Sequence, residues 1–451
     1  MQAWALEYHR TLPDQPIGSV ATPAELRARL DHPPPEAGIP FADVLERFKN
    51  DVVPFSFRTN HPRFLAFVPG GGCYPSMLGD WLATAANFFC GVWLEASGPT
   101  QVELTVLDWF KTWIGYPAEA RGIITSGGSE ANLTALVAAR EHVPFADRSR
   151  MVLYVSELRH WSVDRAAKVI GLHPDQIRAI PAGTDLKLHA DALRDAVRSD
   201  RATGRLPWAV AANAGATNTG TVDPLPELAS LCKSEKLWLH VDAAYGWAAI
   251  LTNEGKRELA GLHEGDSITL DPHKWLAQTF EAGCLLVRDG KRLEETFALR
   301  PDYMQDVEPR ENEINFADHG IALTRRFRAL KIWLSVQVLG LGWFRELAER
   351  CCALAELAQR LLEAAGCFEI LHPRQLSIVC FRYRRDGISE SDLDSMNDTI
   401  CRELLATRRA FLSSTRIRGK FSLRMCFINW RTTAGDVEEI VGLLKEIGQR
   451  Q

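Results

Sequence analysis

Leu237-Trp238-Leu239-His240-Val241-Asp242-Ala243-Ala244-Tyr245, followed downstream by Leu270-Asp271-Pro272-His273-Lys274-Trp275, is the pair of stretches on which the fold turns. The first opens as a nearly continuous apolar run rather than an alternating one, the pattern of a strand covered on both faces. Trp208-Ala209-Val210-Ala211-Ala212 has the same character. From His61 to Gly290 such runs alternate with helical segments. This predicts an α/β fold built on a doubly wound, mainly parallel sheet. Ligands on such sheets sit beyond the carboxyl ends of the strands, so the polar residues that follow the apolar runs are the ones to weigh.

The chain has 451 residues, more than one hydrophobic core of about 250–300 residues accommodates. Three parts are expected. Residues 1–60 read as a helical arm, interrupted by Pro33-Pro34-Pro35, that needs another surface to pack on. Residues 61–322 read as the large α/β domain and end in a charged, aperiodic stretch, 301–320, of the kind that forms active-site lids. Residues 323–451 read as a smaller α+β domain. It starts with a long helix from Thr324 that carries Leu330, Trp333, Leu334 and Val338, and it continues with strands from Leu376 to Tyr383 and from Phe421 to Ile428.

A net charge of −5 without a basic stripe speaks against a nucleic-acid binder. No apolar run reaches the roughly 18 residues of a membrane span, and the charged start does not read as a signal peptide. The ten cysteines are scattered without a CxxC pair, and the adjacent Cys351 and Cys352 suit neither a disulfide staple nor a zinc site. The expectation is a cytoplasmic, reduced protein with no metal.

Four features carry chemistry. Lys274 follows an apolar strand on a turn, and lysine is the side chain that forms an exchangeable imine with an aldehyde cofactor. Asp242 ends a strand that should be buried, where a carboxylate is costly unless a cation pairs with it. A protonated pyridine nitrogen supplies such a cation and makes the ring an electron sink. A lone aspartate there is more often a cap or a metal ligand, but Lys274 downstream tips the balance. Thr125-Ser126-Gly127-Gly128-Ser129-Glu130-Ala131-Asn132 leads glycines into a helix running to about Arg140, an arrangement that presents N–H groups to a phosphate. Ser129 is placed both to cap that helix and to bind a phosphate oxygen. His160, at the start of another helix, is placed to stack on a ring and to move protons.

In this order the four resemble the group II pyridoxal-phosphate-dependent amino-acid decarboxylases, the family of the aromatic amino acid decarboxylases. The resemblance runs from His61-Pro62-Arg63-Phe64 through Tyr74-Pro75-Ser76-Met77-Leu78-Gly79-Asp80 and Arg325-Arg326-Phe327-Arg328-Ala329-Leu330-Lys331 to Ser413-Ser414-Thr415-Arg416-Ile417-Arg418-Gly419. It implies the aminotransferase-like fold type I, the cofactor pyridoxal phosphate (PLP), and a homodimer with the active site at the interface. It also implies roles. Lys274 forms the Schiff base and Asp242 pairs with the pyridinium. His160 stacks on the ring, and Gly128, Ser129 and His273 hold the phosphate. Thr217 lies beside the ring and Ala244 beneath it. Phe67, Val68, Pro69 and Trp93 fall where the family lines its side-chain pocket, which suggests an aromatic L-amino acid as substrate. Gly70-Gly71-Gly72 replaces bulkier residues usual there and predicts a wider or more mobile wall. Asp271 stands where asparagine is common, and it is expected to turn away or to accept backbone N–H groups.

One departure concerns the product. In the family a lid tyrosine protonates the quinonoid carbanion left when carbon dioxide departs. Counting back from Arg325 places Phe316 at that position, and phenylalanine has no proton to give. Family members with this substitution resemble aldehyde synthases, in which O2 diverts the carbanion to an aldehyde, ammonia and peroxide. Tyr303, His319 and His160 are other candidate donors, and they would preserve simple amine formation. Two further readings are an aminotransferase, with Arg424 as the carboxylate clamp, and a non-catalytic PLP-binding scaffold.

Overall fold

The computed structural model of the chain describes residues 2–68, 70–299 and 302–451. Among them, β1 (Arg121–Thr125), β2 (Met151–Ser156), β3 (Ile177–Ile180), β4 (Leu206–Asn213), β5 (Trp238–Asp242), β6 (Ser267–Leu270) and β7 (Gly283–Val287) form one sheet in the order β1-β7-β6-β5-β4-β2-β3. Strands β2 to β6 pair in parallel, and β7 runs antiparallel to both of its neighbours, β6 and β1. Every residue of β2, β6 and β7 is buried, as the unbroken apolar runs require. Helix Gly128–Glu141 packs on β5, β6 and β7. The small buried residues Ala131, Ala135, Ala138 and Ala139 let it lie close to the sheet.

A second, antiparallel sheet has the order β10 (Ser413–Ile417), β11 (Lys420–Cys426), β9 (Ile378–Tyr383), β8 (Phe368–Gln375). Helices Glu390–Ala406 and Ala434–Arg450 accompany it. Strand β11 stops at Cys426, short of Ile428: the Phe427 N–H still reaches the carbonyl of Ser377 at 2.9 Å, but the Ser377 N–H donates to Tyr245 Oη at 3.0 Å instead of returning the bond.

The long helix starts at Ala329, not at Thr324. Arg325 supplies the reason. Its buried guanidinium Nη2 donates to Glu103 Oε1 at 2.6 Å and to the Ile124 carbonyl at 2.8 Å. Its own carbonyl accepts the Cys90 N–H at 2.9 Å. A residue committed to three partners in this way is not free to enter a helical turn. The helix runs to Ala364 with a break at Gly340 (φ 76°), and Val338 faces outward.

In the first sixty residues, helices Gln2–Thr11, Pro23–Leu30 and Phe41–Arg47 leave Leu30, Phe41 and Val44 exposed. The arm is tied down near its root. His61 Nε2 donates to the Gln15 carbonyl at 3.1 Å, and the Arg63 N–H donates to His61 Nδ1 at 3.1 Å. Burial pulls the pKa of His61 down to about 4, with the Arg63 charge acting in the same direction.

Both buried groups make predictions. Glu103→Ala leaves Arg325 charged and unpaired and should lower the unfolding free energy by about 3–5 kcal/mol, read from denaturant titration. His61 has a depressed pKa, so the unfolded chain binds its proton first. Its contribution is intact above pH 6.5 and is lost as pH falls toward 4. His61→Gln should make the acid limb of the stability curve shallower by about one proton. An unchanged limb would contradict the buried neutral histidine.

Candidate functional site

The strands that share one direction deliver their following loops to one edge of the large sheet. There β1 leads through Ser126-Gly127 into helix Gly128–Glu141, β2 leads to His160, and β4 leads to Gly215 and Thr217. Strand β5 ends on Asp242, and β6 leads to Asp271, His273 and Lys274. Side chains from all five loops line one cavity of about 310 Å3. The structure therefore brings together Gly128, Ser129, His160, Thr217, Asp242, Ala244, His273 and Lys274.

One end of the cavity is a cradle. A Cβ on Gly128 would stand 2.9 Å from Asp271 Oδ2 and 3.3 Å from Ala244 Cβ, so only glycine leaves this space open at the helix start, where N–H groups lack intrahelical partners. His273 Nδ1 lies 2.6 Å from the Ala282 carbonyl and 3.2 Å from the Ala282 nitrogen, and its Nε2 lies 3.8 Å from Asp271 Oδ2. A phosphate fits these donors and this room.

Asp242 is 8 % exposed. Its Oδ1 accepts the Ala244 N–H at 3.2 Å and its Oδ2 accepts Asn132 Nδ2–H at 3.0 Å. His160 caps helix Trp161–Val169. Its Nδ1 accepts the Ser162 N–H at 3.3 Å and lies 2.8 Å from Ser162 Oγ, which leaves Nε2 to the cavity. Burial lowers the His160 pKa, and the Asp242 charge opposes the shift.

Asp271 does not turn away and accepts no backbone N–H. Its Oδ2 pairs with Lys274 Nζ at 2.9 Å, and its Oδ1 has no partner among the described residues. The two residues share one turn, and a full ammonium charge outcompetes backbone amides for the carboxylate.

A second cavity of about 580 Å3 shares His160, Thr217 and Lys274 with the first. Phe67 and Val68 line it, as do Trp161, Phe280, Ser413 and Arg424. Arg424 is buried. Its Nε donates to the Asn218 carbonyl at 3.0 Å and its Nη1 to the Phe67 carbonyl at 2.7 Å, while Nη2 has no partner among the described residues. Pro69 lies outside the described residues, as does the side chain of Tyr303.

Three expectations need correction. Trp93 lines neither cavity; it opens helix Trp93–Ile114 and its N–H donates to Asn315 Oδ1 at 2.8 Å. Phe316 lines neither cavity and is 1 % exposed. Its ring lies under the Arg325 guanidinium at 4.7 Å and against His319 at 5.9 Å. The next residue, Ala317, bonds through its N–H to the Gly91 carbonyl at 2.9 Å. A ring buried in this way serves the packing of this chain. The run Gly70-Gly71-Gly72 does not widen a pocket. A Cβ on Gly70 would overlap the carbonyl oxygen of Lys274, and one on Gly72 would stand 2.7 Å from Thr279 Cγ2. The glycines let this segment lie directly against the lysine loop.

Asn132, Ser162, Trp161 and Phe280 belong to the site and were not singled out from the sequence. A signal for Asn132 was present: it lies one helical turn past Gly128 and hence on the same face as the cradle.

The model of the pyridoxal-dependent decarboxylase conserved domain matches residues 23–384. The chain is 40% identical over 446 residues to an aromatic-L-amino-acid decarboxylase of Bacillus atrophaeus, covering 98% of this chain and 93% of that protein. It superposes on the crystal structure of Oryza sativa TDC with PLP and tryptamine at a TM-score of 0.95, with 28% identity, over 100% of this chain and 96% of that one. It superposes on Rhodiola rosea 4-hydroxyphenylacetaldehyde synthase at 0.93, with 26% identity, over the same shares. The fold is the aminotransferase-like type I fold, and the cofactor is PLP.

Proposed function

The chain belongs to the pyridoxal-dependent decarboxylase family, and we propose that within it the protein removes the carboxyl group of an aromatic L-amino acid as carbon dioxide and returns the amine. One observation carries this reading: Lys274 Nζ, the Asp242 carboxylate and the glycine cradle line a single cavity that opens onto a second, aromatic-walled one. Bound PLP supplies the electron sink that draws in the electrons of the broken carbon–carboxylate bond.

The residues divide the remaining work. Lys274 Nζ, once released from Asp271, would attach the cofactor covalently. Gly128, Ser129 and His273 hold the phosphate. With PLP bound, Asp242 would keep a proton on the ring nitrogen, and Ala244, Thr217 and His160, which line the same cavity, would hold the ring. Phe67, Val68, Trp161 and Phe280 offer an apolar, aromatic wall to the substrate side chain. The unpartnered Nη2 of Arg424 offers an N–H donor to the substrate's carboxylate.

The final step needs an acid. A positioned donor contributes about 10²–10⁴-fold. Tyr303 is the sole phenol between 301 and 320. In the same segment Phe316 has no proton, and the buried His319 already bonds through Nδ1 to the Asn315 carbonyl at 3.0 Å. We assign the donor to the Tyr303 hydroxyl. The similarity to the 4-hydroxyphenylacetaldehyde synthase favours a second reading, in which O2 is consumed and aldehyde, ammonia and peroxide form. The burial of Phe316 favours the amine. We further propose a homodimer, supported by the exposed Trp81, Phe88, Leu94 and Leu323 and by the exposed Leu30, Phe41 and Val44 of the arm.

Incubation with phenylalanine, tyrosine and tryptophan, following carbon dioxide and dissolved oxygen together, should show carbon dioxide release without matching oxygen uptake. Equal uptake would establish the aldehyde route instead. Lys274→Ala should lose all borohydride-trapped cofactor. Tyr303→Phe should raise oxygen uptake per carbon dioxide, while Phe316→Tyr should leave the product ratio unchanged. The opposite pattern in these two variants would return the lid role to Phe316.

A further inference from the structure

A row of polar side chains crosses the interior behind Asp242. Trp238, His240 and Asp242 alternate along β5 and so share one face of it. The register places Ser267 and Thr269 of β6 beside His240 and Asp242, and Asn132 of helix Gly128–Glu141 lies over this face. Trp238 Nε1–H donates to Ser267 Oγ at 2.8 Å, and Ser267 Oγ lies 2.8 Å from His240 Nδ1. His240 Nε2 lies 3.0 Å from Asn132 Oδ1, which also accepts Thr269 Oγ1–H at 2.6 Å. Asn132 Nδ2 then donates to Asp242 Oδ2 at 3.0 Å and to Ser162 Oγ at 2.9 Å.

Donor chemistry fixes the hydrogens in this row. The Asp242 carboxylate only accepts, so the Asn132 NH2 faces it and Oδ1 faces His240 Nε2, and the Ser267 hydroxyl, taking the Trp238 N–H, is left to donate to His240 Nδ1. The histidine proton therefore sits on Nε2 and donates to Asn132 Oδ1. Burial, which draws the His240 pKa down to about 4, keeps the ring in this neutral form. With two donors on Oδ1, the Asn132 amide cannot flip, and its NH2 end must face Asp242 and Ser162. The Ser162 hydroxyl, accepting from Asn132, donates in turn to His160 Nδ1, 2.8 Å away. The hydrogen of His160 is thereby held on Nε2, the atom left to the cavity.

We propose that Asn132, locked by His240 and Thr269, is a positioning residue that sets where the site's protons lie. By giving an N–H to Asp242 it shares the carboxylate's charge and leaves the ring-nitrogen proton on the ring, and through Ser162 it fixes the tautomer of His160. The proposal rests on Asp242 as the ring-nitrogen partner, the assignment made under the proposed function.

The test loads the holoenzyme with PLP labelled with 15N in the ring and reads the nitrogen resonance. The wild type should show a protonated ring nitrogen, and Asp242→Ala an unprotonated one. If Asp242→Ala leaves the resonance in place, the earlier assignment of Asp242 falls. Asn132→Ala should move the resonance toward the unprotonated position while cofactor remains bound. A wild-type resonance in Asn132→Ala, alongside a shifted one in Asp242→Ala, overturns the role of Asn132. Should Asn132→Ala not fold, the His240 pair decides. His240→Gln keeps an N–H for Asn132 Oδ1 and should retain the wild-type resonance, whereas His240→Leu should shift it. Equal resonances in the pair overturn the proposal.

Discussion

The site depends on a negative charge held in the protein interior. Asp242 ends β5 inside a sheet covered on both faces, and an ion there is costly unless its oxygens are satisfied. The chain meets one oxygen with the Ala244 N–H and the other with Asn132. Much else in the core follows from this commitment. Helix Gly128–Glu141 has to sit close enough to the sheet for Asn132 to reach the strand, hence its alanine-rich inner face. The same helix start then lies over the glycine cradle. On the proposed roles, one approach of helix to sheet would serve both the phosphate and the ring nitrogen of a bound cofactor.

The sheet and most of the cavity were legible in the sequence because each depends on a local rule. Unbroken apolar runs at Trp208 and Leu237 mark strands buried on both faces. The carboxyl-end rule then directs attention to Ser129, His160, Asp242 and Lys274. The long-range pairings were not legible. Arg325 reads as one more basic residue before a helix, and nothing local reveals that it is buried against Glu103. That pairing delays the helix start and encloses Phe316. Asp271 was misjudged for a related reason: the outcome turned on competition between a nearby ammonium and backbone amides, which composition does not rank.

The stretch before the long helix divides by what its residues contact. Its second half, Phe316–His319, is docked on the body through Gly91, Arg325 and β1. Its first half, Asp302–Val307, forms a short turn with exposed acidic residues. A lid must be able to move, and movement requires few buried contacts. Counting residues back from a recognisable motif measures sequence distance only. Burial decides which residue in that distance is free to meet a substrate.

The glycine run at 70–72 carries a consequence for reading sequence variation. Gly70 has no contact with the reacting atoms, yet the backbone of Lys274 fills the space where a side chain would grow. Replacing it with even alanine would force apart this segment and the Lys274 backbone. Gly70 is itself buried, so such a variant would first look like an ordinary packing defect. A side chain there would press on the His273 and Lys274 carbonyls, so variation at this position bears on the placement of Lys274 as well as on packing.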